Sequence, residues 1–396
     1  MQTATAQQIQ KNYRIQSIDL LRGLVMIVMA LDHVRDFFHS QVTLYDPLDF
    51  SKTSTAIFLT RWITHFCAPV FVFLAGTSAY LVGVRKGKRA LSKFLLTRGI
   101  WLIIVEIIIM NFAFSFDWRF SVIGLQTIWA LGISMIVLSL LIYLPKQIIL
   151  VLALLIIAFH NTLDTIQVEG TDLEALGWSL LHEPKFFPFK PFSIFVLYPV
   201  LPWIGVMAAG YCFGELYSKY DADKRKKLLI ILGSVCIILF IVIRFTNLYG
   251  DESQWAKQKT PIFTFLSFIN ASKYPPSLLY ILMTIGPAML FLAFTERPLR
   301  RFGNIIATYG KVPMFYYILH FYLIHIAAKV AGLLSGYSLD QVLNSGPFGQ
   351  HLPGYGFRLW VVYLVWLIIV ALLYPLCKRY ARYKSAHPEK WWLSYL

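Results

Sequence analysis

Residues 20–38 read LLRGLVMIVMALDHVRDFF, a mostly apolar run that carries charged and titratable side chains near both ends. A helix that crosses the roughly 30 Å hydrocarbon core of a bilayer needs about 20 mostly apolar residues. Runs of this kind recur along the chain. They predict about ten membrane spans, at residues 20–38, 59–84, 94–116, 122–144, 148–163, 194–216, 228–245, 278–294, 312–334 and 357–376.

The composition is also that of a membrane protein. Of the 396 residues, 58% are hydrophobic and 14% are charged, whereas a soluble domain has about 25% charged residues. The 31 Phe, 22 Tyr and 11 Trp exclude a disordered chain, and four Cys are too few for a disulfide scaffold. The sequence therefore predicts an all-α polytopic membrane protein.

The positive charge of the chain is divided unevenly between alternate loops. The net charge is +16, and with ten spans the loops on the side of the termini hold 24 Lys and Arg against 6 Asp and Glu. The loops on the other side hold 12 against 13. Because cytoplasmic loops carry the excess of Lys and Arg, we expect both termini in the cytoplasm and the chain in the inner (plasma) membrane. Orientation then explains most of the charge, without a nucleic-acid partner.

The spans form one domain in this interpretation. We expect a short cytoplasmic N-terminal segment at residues 1–17, a single transmembrane domain at 18–378 and a cytoplasmic interfacial tail at 379–396. The predicted outer loops 160–193 and 246–277 are too long to be plain connections. Loops of this length usually have a function or carry short elements of their own.

Titratable side chains at membrane depth are the main candidates for a functional site, because placing them there costs free energy. The first predicted span carries Asp32, His33 and Asp36 in its outer half. Neutral imidazole is available near pH 7, which suits a general base, and Asp32 or Asp36 could orient the His33 ring. The same residues also suit a polar cluster that caps the helix at the membrane interface.

Two more histidines lie within predicted spans. His65 is expected at the level of His33, and His320 about 12 Å into the ninth span, so both could share a cavity with His33. Alternatively, each could bind a backbone carbonyl or a neighbouring helix; for His65 the carbonyl would be one freed by Pro69. Glu106, in the third span, is interpreted as structural. No metal site is predicted, since neither HExxH nor CxxC occurs.

Five short segments occur along the sequence in one order. Each segment alone is a weak indication of a family, but the whole set in this order is specific. They are SIDLLRGLVMIVMALDH at 17–33, FCAPVFVFLAGTS at 66–78, KYPPSL at 273–278, GKVPMFYYILH at 310–320 and WWLSYL at 391–396. Together they resemble the membrane acyltransferases related to heparan-alpha-glucosaminide N-acetyltransferase over nearly the whole chain. Residues 19–33 are also similar, more distantly, to membrane sugar O-acyltransferases, which share Asp-x-x-Arg-Gly and an apolar run ending in His.

The resemblance implies an activity and a donor. Members of the family transfer an acetyl group from cytoplasmic acetyl-CoA to an amine or hydroxyl of a glucosamine-type sugar on the far side of the membrane. The resemblance implies His33 as general base or transient acyl carrier. In the family the catalytic His follows the first helix, so His39 competes with His33 for this role.

Further residues are implied for the same reaction. The orienting carboxylate would be Asp32 or Asp36, with His65 and His320 as additional catalytic candidates. The anionic nucleotide of CoA would meet basic residues at the cytoplasmic face, for which the candidates are Arg22, Arg98 and Lys311.

A second function uses the same titratable residues. They could relay protons in a transporter or carrier of a sugar or a lipid-linked intermediate. The sequence lacks the paired interrupted helices of an inverted repeat, which favours the enzyme. The expected partners are acetyl-CoA, a sugar or glycan acceptor and membrane lipid, with a homodimer left open.

Overall fold

The computed structural model describes residues 15–41, 44–296, 298–346 and 352–395. The first 14 residues of the predicted N-terminal segment and Leu396 of the predicted tail fall outside these residues. Most of the described chain is helical.

The elements are numbered here in chain order. The α-helices are α1 (Gln16–Phe38), α2 (Thr55–Ile63), α3 (Cys67–Lys86), α4 (Lys88–Ile104), α5 (Asn111–Ser115), α6 (Thr127–Leu141), α7 (Lys146–Phe159), α8 (Leu173–Leu181), α9 (Leu201–Phe213), α10 (Leu216–Lys219), α11 (Ala222–Thr246), α12 (Pro261–Ile269), α13 (Leu278–Phe294), α14 (Arg301–Lys311), α15 (Pro313–Leu334), α16 (Leu339–Leu343) and α17 (Leu359–Ala386). Short 3₁₀ helices occupy Thr64–Phe66, His160–Leu163 and Trp391–Ser394, and a π-helix occupies Val105–Met110. The strands are β1 (Val122–Leu125), β2 (Lys185–Phe187) and β3 (Ser193–Val196).

Several helical segments have the length and apolar composition needed to cross a membrane. Six meet this description within the described residues, with two shorter apolar helices, α6 and α13, beside them. The six are Thr55–Lys86, Lys88–Ser115, Lys146–Leu163, Ala222–Thr246, Pro313–Leu334 and Leu359–Ala386. The predicted class, an all-α membrane protein, is confirmed. The count of ten spans and the cytoplasmic position of the termini stay predictions.

Two predicted spans begin later than hydropathy indicates. Residues 122–125 and 194–196, predicted as the first turns of spans, instead pair as the parallel strands β1 and β3, and β2 joins β3 antiparallel. Their β-branched and aromatic side chains favour strands as much as apolar helices. Helix α9 starts only at Leu201, where Pro202 suits a first turn. The first long loop thus carries elements of its own, α8 and β2.

Helix α1 lies inside the bundle and packs against α3, α14, α15 and α17. Its contact with α14 is the tightest: a Cβ added at Gly23 would lie 2.0 Å from the carbonyl oxygen of Ile306, and one at Gly310 would lie 2.0 Å from that of Asp19. Small residues of this kind let helix backbones touch in membranes. We call the end of the bundle where α1 begins the basic end, and the opposite end, where α1 reaches Phe38, the loop end.

A second close contact joins α3 to α9. A Cβ at Gly76 would lie 2.1 Å from the carbonyl oxygen of Met207, and one at Gly210 would lie 2.1 Å from that of Phe73. Thr77 Oγ1 donates across the contact to the Gly210 carbonyl oxygen at 3.1 Å. Helix α17, at the periphery, continues to Ala386 and so crosses the predicted domain boundary at residue 378.

Glu106 is a buried carboxylate that holds the start of another helix. Its Oε2 accepts hydrogen bonds from the backbone N–H groups of Ile128, at 2.9 Å, and Trp129, at 3.0 Å. These N–H groups belong to the first turn of α6, which has no acceptors within the helix. The structural interpretation of Glu106 is therefore confirmed.

The glycine contacts lead to a first prediction. Gly210→Ala should lower the free energy of unfolding by about 1–3 kcal/mol, because the new Cβ overlaps the Phe73 backbone and the helices must separate. Thermal unfolding of the detergent-solubilised protein measures the change. Gly177→Ala is the control, since a Cβ there meets nothing within 4 Å. Equal melting temperatures for the two variants would contradict the prediction.

A second prediction concerns Glu106. Glu106→Ala leaves two buried backbone N–H groups without an acceptor and should destabilise the protein by about 1–3 kcal/mol. Glu106→Gln should cost less, because its amide oxygen still accepts a hydrogen bond. The same unfolding assay ranks the variants, and a Gln variant as unstable as the Ala variant would refute the capping role.

Candidate functional site

Two histidines from different helices lie against each other toward the loop end. His33, on α1, and His320, on α15, have ring centroids 5.3 Å apart, with the ring of Phe321 4.6 Å from that of His33. The Nε2 atoms of both rings are buried and have no hydrogen-bond partner among the described residues. Helices far apart in sequence thus bring two predicted site residues together.

The backbone of α15 determines which nitrogen of His320 is available. Its Nδ1 lies 2.8 Å from the carbonyl oxygen of Tyr316, one turn earlier, and so donates to it. The proton is therefore on Nδ1, and Nε2 keeps its lone pair. His320 can accept a proton at Nε2 in the space that it shares with His33.

A buried charged cluster adjoins His33. We define it as Asp32, Arg35, Asp36, Arg61 and Lys273. Arg61 Nη1 donates to both carboxylate oxygens of Asp32, at 2.9 and 2.7 Å. Arg35 Nη2 lies 3.0 Å from Asp32 Oδ1 and 2.5 Å from Asp36 Oδ1, and Lys273 Nζ lies 3.7 Å from Asp32 Oδ2.

The two carboxylates of α1 have arginine partners. Asp32 or Asp36 was expected to orient the His33 ring, but the oxygens of both bind arginine, and within the described residues neither accepts a hydrogen bond from that ring. Neighbouring residues on a helix point in different directions, so Asp32 cannot easily reach the His33 ring. Sequence reasoning missed Arg35, Arg61 and Lys273 as site residues. The KYPPSL segment, which contains Lys273, was the available signal.

His65 lies four residues after Arg61, in the 3₁₀ helix Thr64–Phe66 that follows α2. Its side chain is buried, and neither ring nitrogen has a partner among the described residues. The alternative, a hydrogen bond from the His65 ring to a backbone carbonyl freed by Pro69, is therefore not seen among these residues. Tyr280 holds this turn instead, because its hydroxyl donates to the backbone oxygen of His65 at 2.8 Å. The ring contact of His65 is with Tyr280 rather than with His33.

His39 lies six residues beyond His33, after α1 has ended. Its backbone pairs with Phe357, and its Nδ1 accepts from the backbone N–H of Gln41 at 3.4 Å. Burial, with the charge of Arg35, lowers the pKa of His39. The structure thus separates His39 from the pair formed by His33 and His320.

A basic cavity opens at the opposite end of the bundle, between α14 and α17. Its volume is about 880 Å³. Four cationic side chains face it: Arg301, Lys311, Lys378 and Arg382. Of the three residues predicted to bind CoA, Lys311 lines this cavity, whereas Arg22 and Arg98 are not among its lining residues.

Arg22 and Arg98 have other surroundings. Arg22 Nη2 donates to Ser78 Oγ at 2.7 Å, and its Nη1 donates to the Gly310 carbonyl oxygen at 3.3 Å. The Arg98 guanidinium lies over the Phe94 ring, 5.7 Å from its centroid. Arg22 therefore ties α1 to α3 and α14 beside the glycine contact.

A series of aromatic rings connects the basic cavity to the histidines. It starts at Tyr374, which lines the cavity, and continues to Tyr309 (6.0 Å between centroids), Tyr316 (5.1 Å), His320 (4.9 Å) and His33 (5.3 Å). The Tyr316 hydroxyl is buried without a partner among the described residues. Within the same residues, no group of three or more metal-ligating side chains is placed to hold a metal ion.

Comparison with known proteins adds the family. The family model described as heparan-alpha-glucosaminide N-acetyltransferase, catalytic, matches residues 14–245. No curated protein sequence gives a significant match. The matched region contains His33, Arg61 and His65, whereas Lys273, His320 and the basic cavity follow it. Because the family match covers more than half of the 396 residues, the chain belongs to the heparan-alpha-glucosaminide N-acetyltransferase catalytic family of membrane acyltransferases.

Proposed function

We propose that the chain transfers an acetyl group from acetyl-CoA to an amine or hydroxyl of a sugar. In this proposal the basic end faces the cytoplasm and the loop end faces the outside of the plasma membrane. The observation that carries it is the series of rings from the basic cavity to His320 and His33, which ends at two imidazole nitrogens without partners among the described residues.

The basic cavity suits the nucleotide of the donor. CoA carries a 3′-phosphate and a diphosphate, and Lys and Arg side chains bind such groups through charge-assisted hydrogen bonds. Four of these side chains face the cavity, and all come from segments assigned to the positive side of the membrane. The pantetheine arm is uncharged, so it can follow the aromatic rings into the bundle while the phosphates stay behind.

The histidine pair suits the chemistry of transfer. His33 takes the proton from the acceptor N–H or O–H as that atom attacks the thioester carbonyl carbon. The tetrahedral intermediate collapses, the C–S bond breaks, and the CoA sulfur leaves with the proton from His33. In a ping-pong route, a His33 ring nitrogen attacks the thioester carbonyl carbon first, the C–S bond breaks and CoA leaves as the thiolate. The acceptor then attacks the acetyl-imidazole, its proton passes to His320 Nε2, and His33 is released. His320 Nε2 would hold or return the proton in either route, and the support for this role is that its Nδ1 is already bound to the Tyr316 carbonyl oxygen.

A third prediction separates His33 from its competitor. His33→Ala should lower acetyl transfer by about 10²–10⁴-fold, the usual contribution of a positioned base. His39→Ala should keep most of the activity, because His39 lies apart from the pair. The assay measures transfer of the radiolabelled acetyl group from acetyl-CoA to glucosamine. Radiolabel that becomes attached to the protein is measured in parallel, as an acid-stable and an acid-labile fraction. If His39→Ala were inactive and His33→Ala active, the assignment would be reversed.

A fourth prediction tests the donor site. Replacing Lys378 and Arg382 together by Gln should raise the KM for acetyl-CoA about tenfold or more and change kcat little, since each loses a charge-assisted hydrogen bond. The control replaces Lys86 and Lys88 by Gln, which removes the same charge from exposed positions of the same predicted face. Equal KM values in the two double variants would place the nucleotide elsewhere.

A further inference from the structure

The charged cluster near His33 contains more positive than negative charge. Its cations are Arg35, Arg61 and Lys273, and its carboxylates are Asp32 and Asp36. The Arg35 and Lys273 side chains are 4% and 8% exposed. Buried charges are normally paired, because leaving one without a counterion costs free energy. Within these five residues, one positive charge therefore has no carboxylate to balance it.

Arg35 shows where such a charge would bind. Both of its ion pairs use Nη2, and its Nε and Nη1 are buried without a hydrogen-bond partner among the described residues. A guanidinium has five N–H donors in a planar fork that matches a phosphate or carboxylate. Most of the donors of Arg35 are thus held in place with nothing bound to them in the described chain.

Tyr274 reports the positive field of the cluster. It lies in the loop between α12 and α13, with the Lys273 ammonium 5.2 Å from its ring centroid. Burial raises the pKa of its phenol, whereas Lys273, Arg61 and a hydrogen bond with Tyr198 lower it, and overall the pKa lies below its ordinary value. The cations of the cluster therefore act on a neighbouring side chain that is not one of their ion-pair partners.

The donor cannot supply the missing charge. The phosphates of CoA are assigned to the basic end, beside Gly310, which contacts Gly23. Arg35 follows Gly23 by twelve residues, or roughly 18 Å of helix. The oxyanion of the tetrahedral intermediate exists only transiently, so it does not balance the cluster before reaction. The remaining source is the acceptor.

We infer that the acceptor is an anionic sugar, and that Arg35 and Lys273 bind a phosphate or carboxylate group next to its reacting amine or hydroxyl. This inference rests on the proposed function. The anion would bridge Arg35 Nε and Nη1 and lie near Lys273, adjacent to His33. Arg35 and Lys273 are positioning residues here, and they would select charged acceptors over neutral ones.

The experiment measures binding and transfer separately. Glucosamine, glucosamine 6-phosphate, 2-amino-2-deoxyglucuronic acid and inorganic phosphate are titrated into the detergent-solubilised full chain by calorimetry. The two anionic sugars should bind about tenfold or more tightly than glucosamine, as expected for charge-assisted hydrogen bonds. Comparing the affinities of glucosamine 6-phosphate and 2-amino-2-deoxyglucuronic acid shows whether the site prefers a phosphate or a carboxylate. Binding of inorganic phosphate as tight as that of the sugar phosphate would overturn the inference, because the site would then recognise the ion alone.

Variants identify the residues responsible. Lys273→Gln and Arg35→Gln should lose the preference for anionic sugars, and Lys273→Arg should restore most of it. Lys257→Gln, which removes an exposed charge at the same end, is the control and should bind like the parent. The ion pair of Lys273 with Asp32 is the longest in the cluster, at 3.7 Å, so its loss should disturb folding least. The Lys273→Gln variant therefore tests the anion site even if Arg35→Gln does not fold.

The assay of acetyl-CoA turnover distinguishes two failures. If the parent turns over acetyl-CoA but binds neutral and anionic sugars equally, the inference is wrong and the proposed function stands. If anionic sugars bind in a manner that depends on Lys273 but acetyl-CoA is never consumed, the anion site is supported and the proposed function is wrong. In transfer assays, the parent should have a lower KM for the anionic sugars than for glucosamine. The Lys273→Gln variant should have equal KM values for anionic and neutral sugars.

Discussion

The backbone contact between α1 and α14 at Gly23 and Gly310 is the constraint on which the rest of the site depends. Because glycines at the crossing let the backbones of α1 and α14 touch, α1 lies inside the bundle instead of on its surface. Its central position lets the same helix reach α3 through Arg22 and α15 through His33. In a membrane there is little hydrophobic drive between helices, so close packing of this kind must hold them together. A wider crossing would move the His33 ring away from His320.

The ionisable residues of α1 are divided between two kinds of partner. The carboxylates bind guanidinium groups, which satisfies charges that would be costly to bury alone. The imidazole of His33 instead meets His320 and Phe321, where neutral rings pack well. Adjacent residues can play such different roles because successive side chains on a helix point in different directions. A charged cluster and a histidine pair therefore lie side by side on one turn of α1.

The two ends of the bundle are chemically distinct, and α1 connects them. Cations around a cavity of about 880 Å³ mark the basic end, and the charged cluster beside His33 lies toward the loop end. A donor with several phosphates and an acceptor with at most one or two charges would accordingly bind at opposite ends. Only the uncharged part of the donor would need to enter the bundle. The buried rings between Tyr374 and His33 pack in series between the two ends, and in the proposed function the uncharged arm of the donor would lie along them.

Sequence alone determined the class of protein, the family and several members of the site. The length of the apolar runs has a direct physical cause in bilayer thickness, and the histidines at membrane depth were conspicuous because they are costly there. Only the tertiary structure decided which residues meet. Arg61, in the predicted span 59–84, and Lys273, in the predicted loop 246–277, meet Asp32 only in the folded structure, and Arg22 donates to the carbonyl oxygen of Gly310. Strands β1 and β3 were hidden because short apolar runs suit helix and strand alike. Pairing between distant segments depends on how helices cross, which periodicity within one segment does not encode.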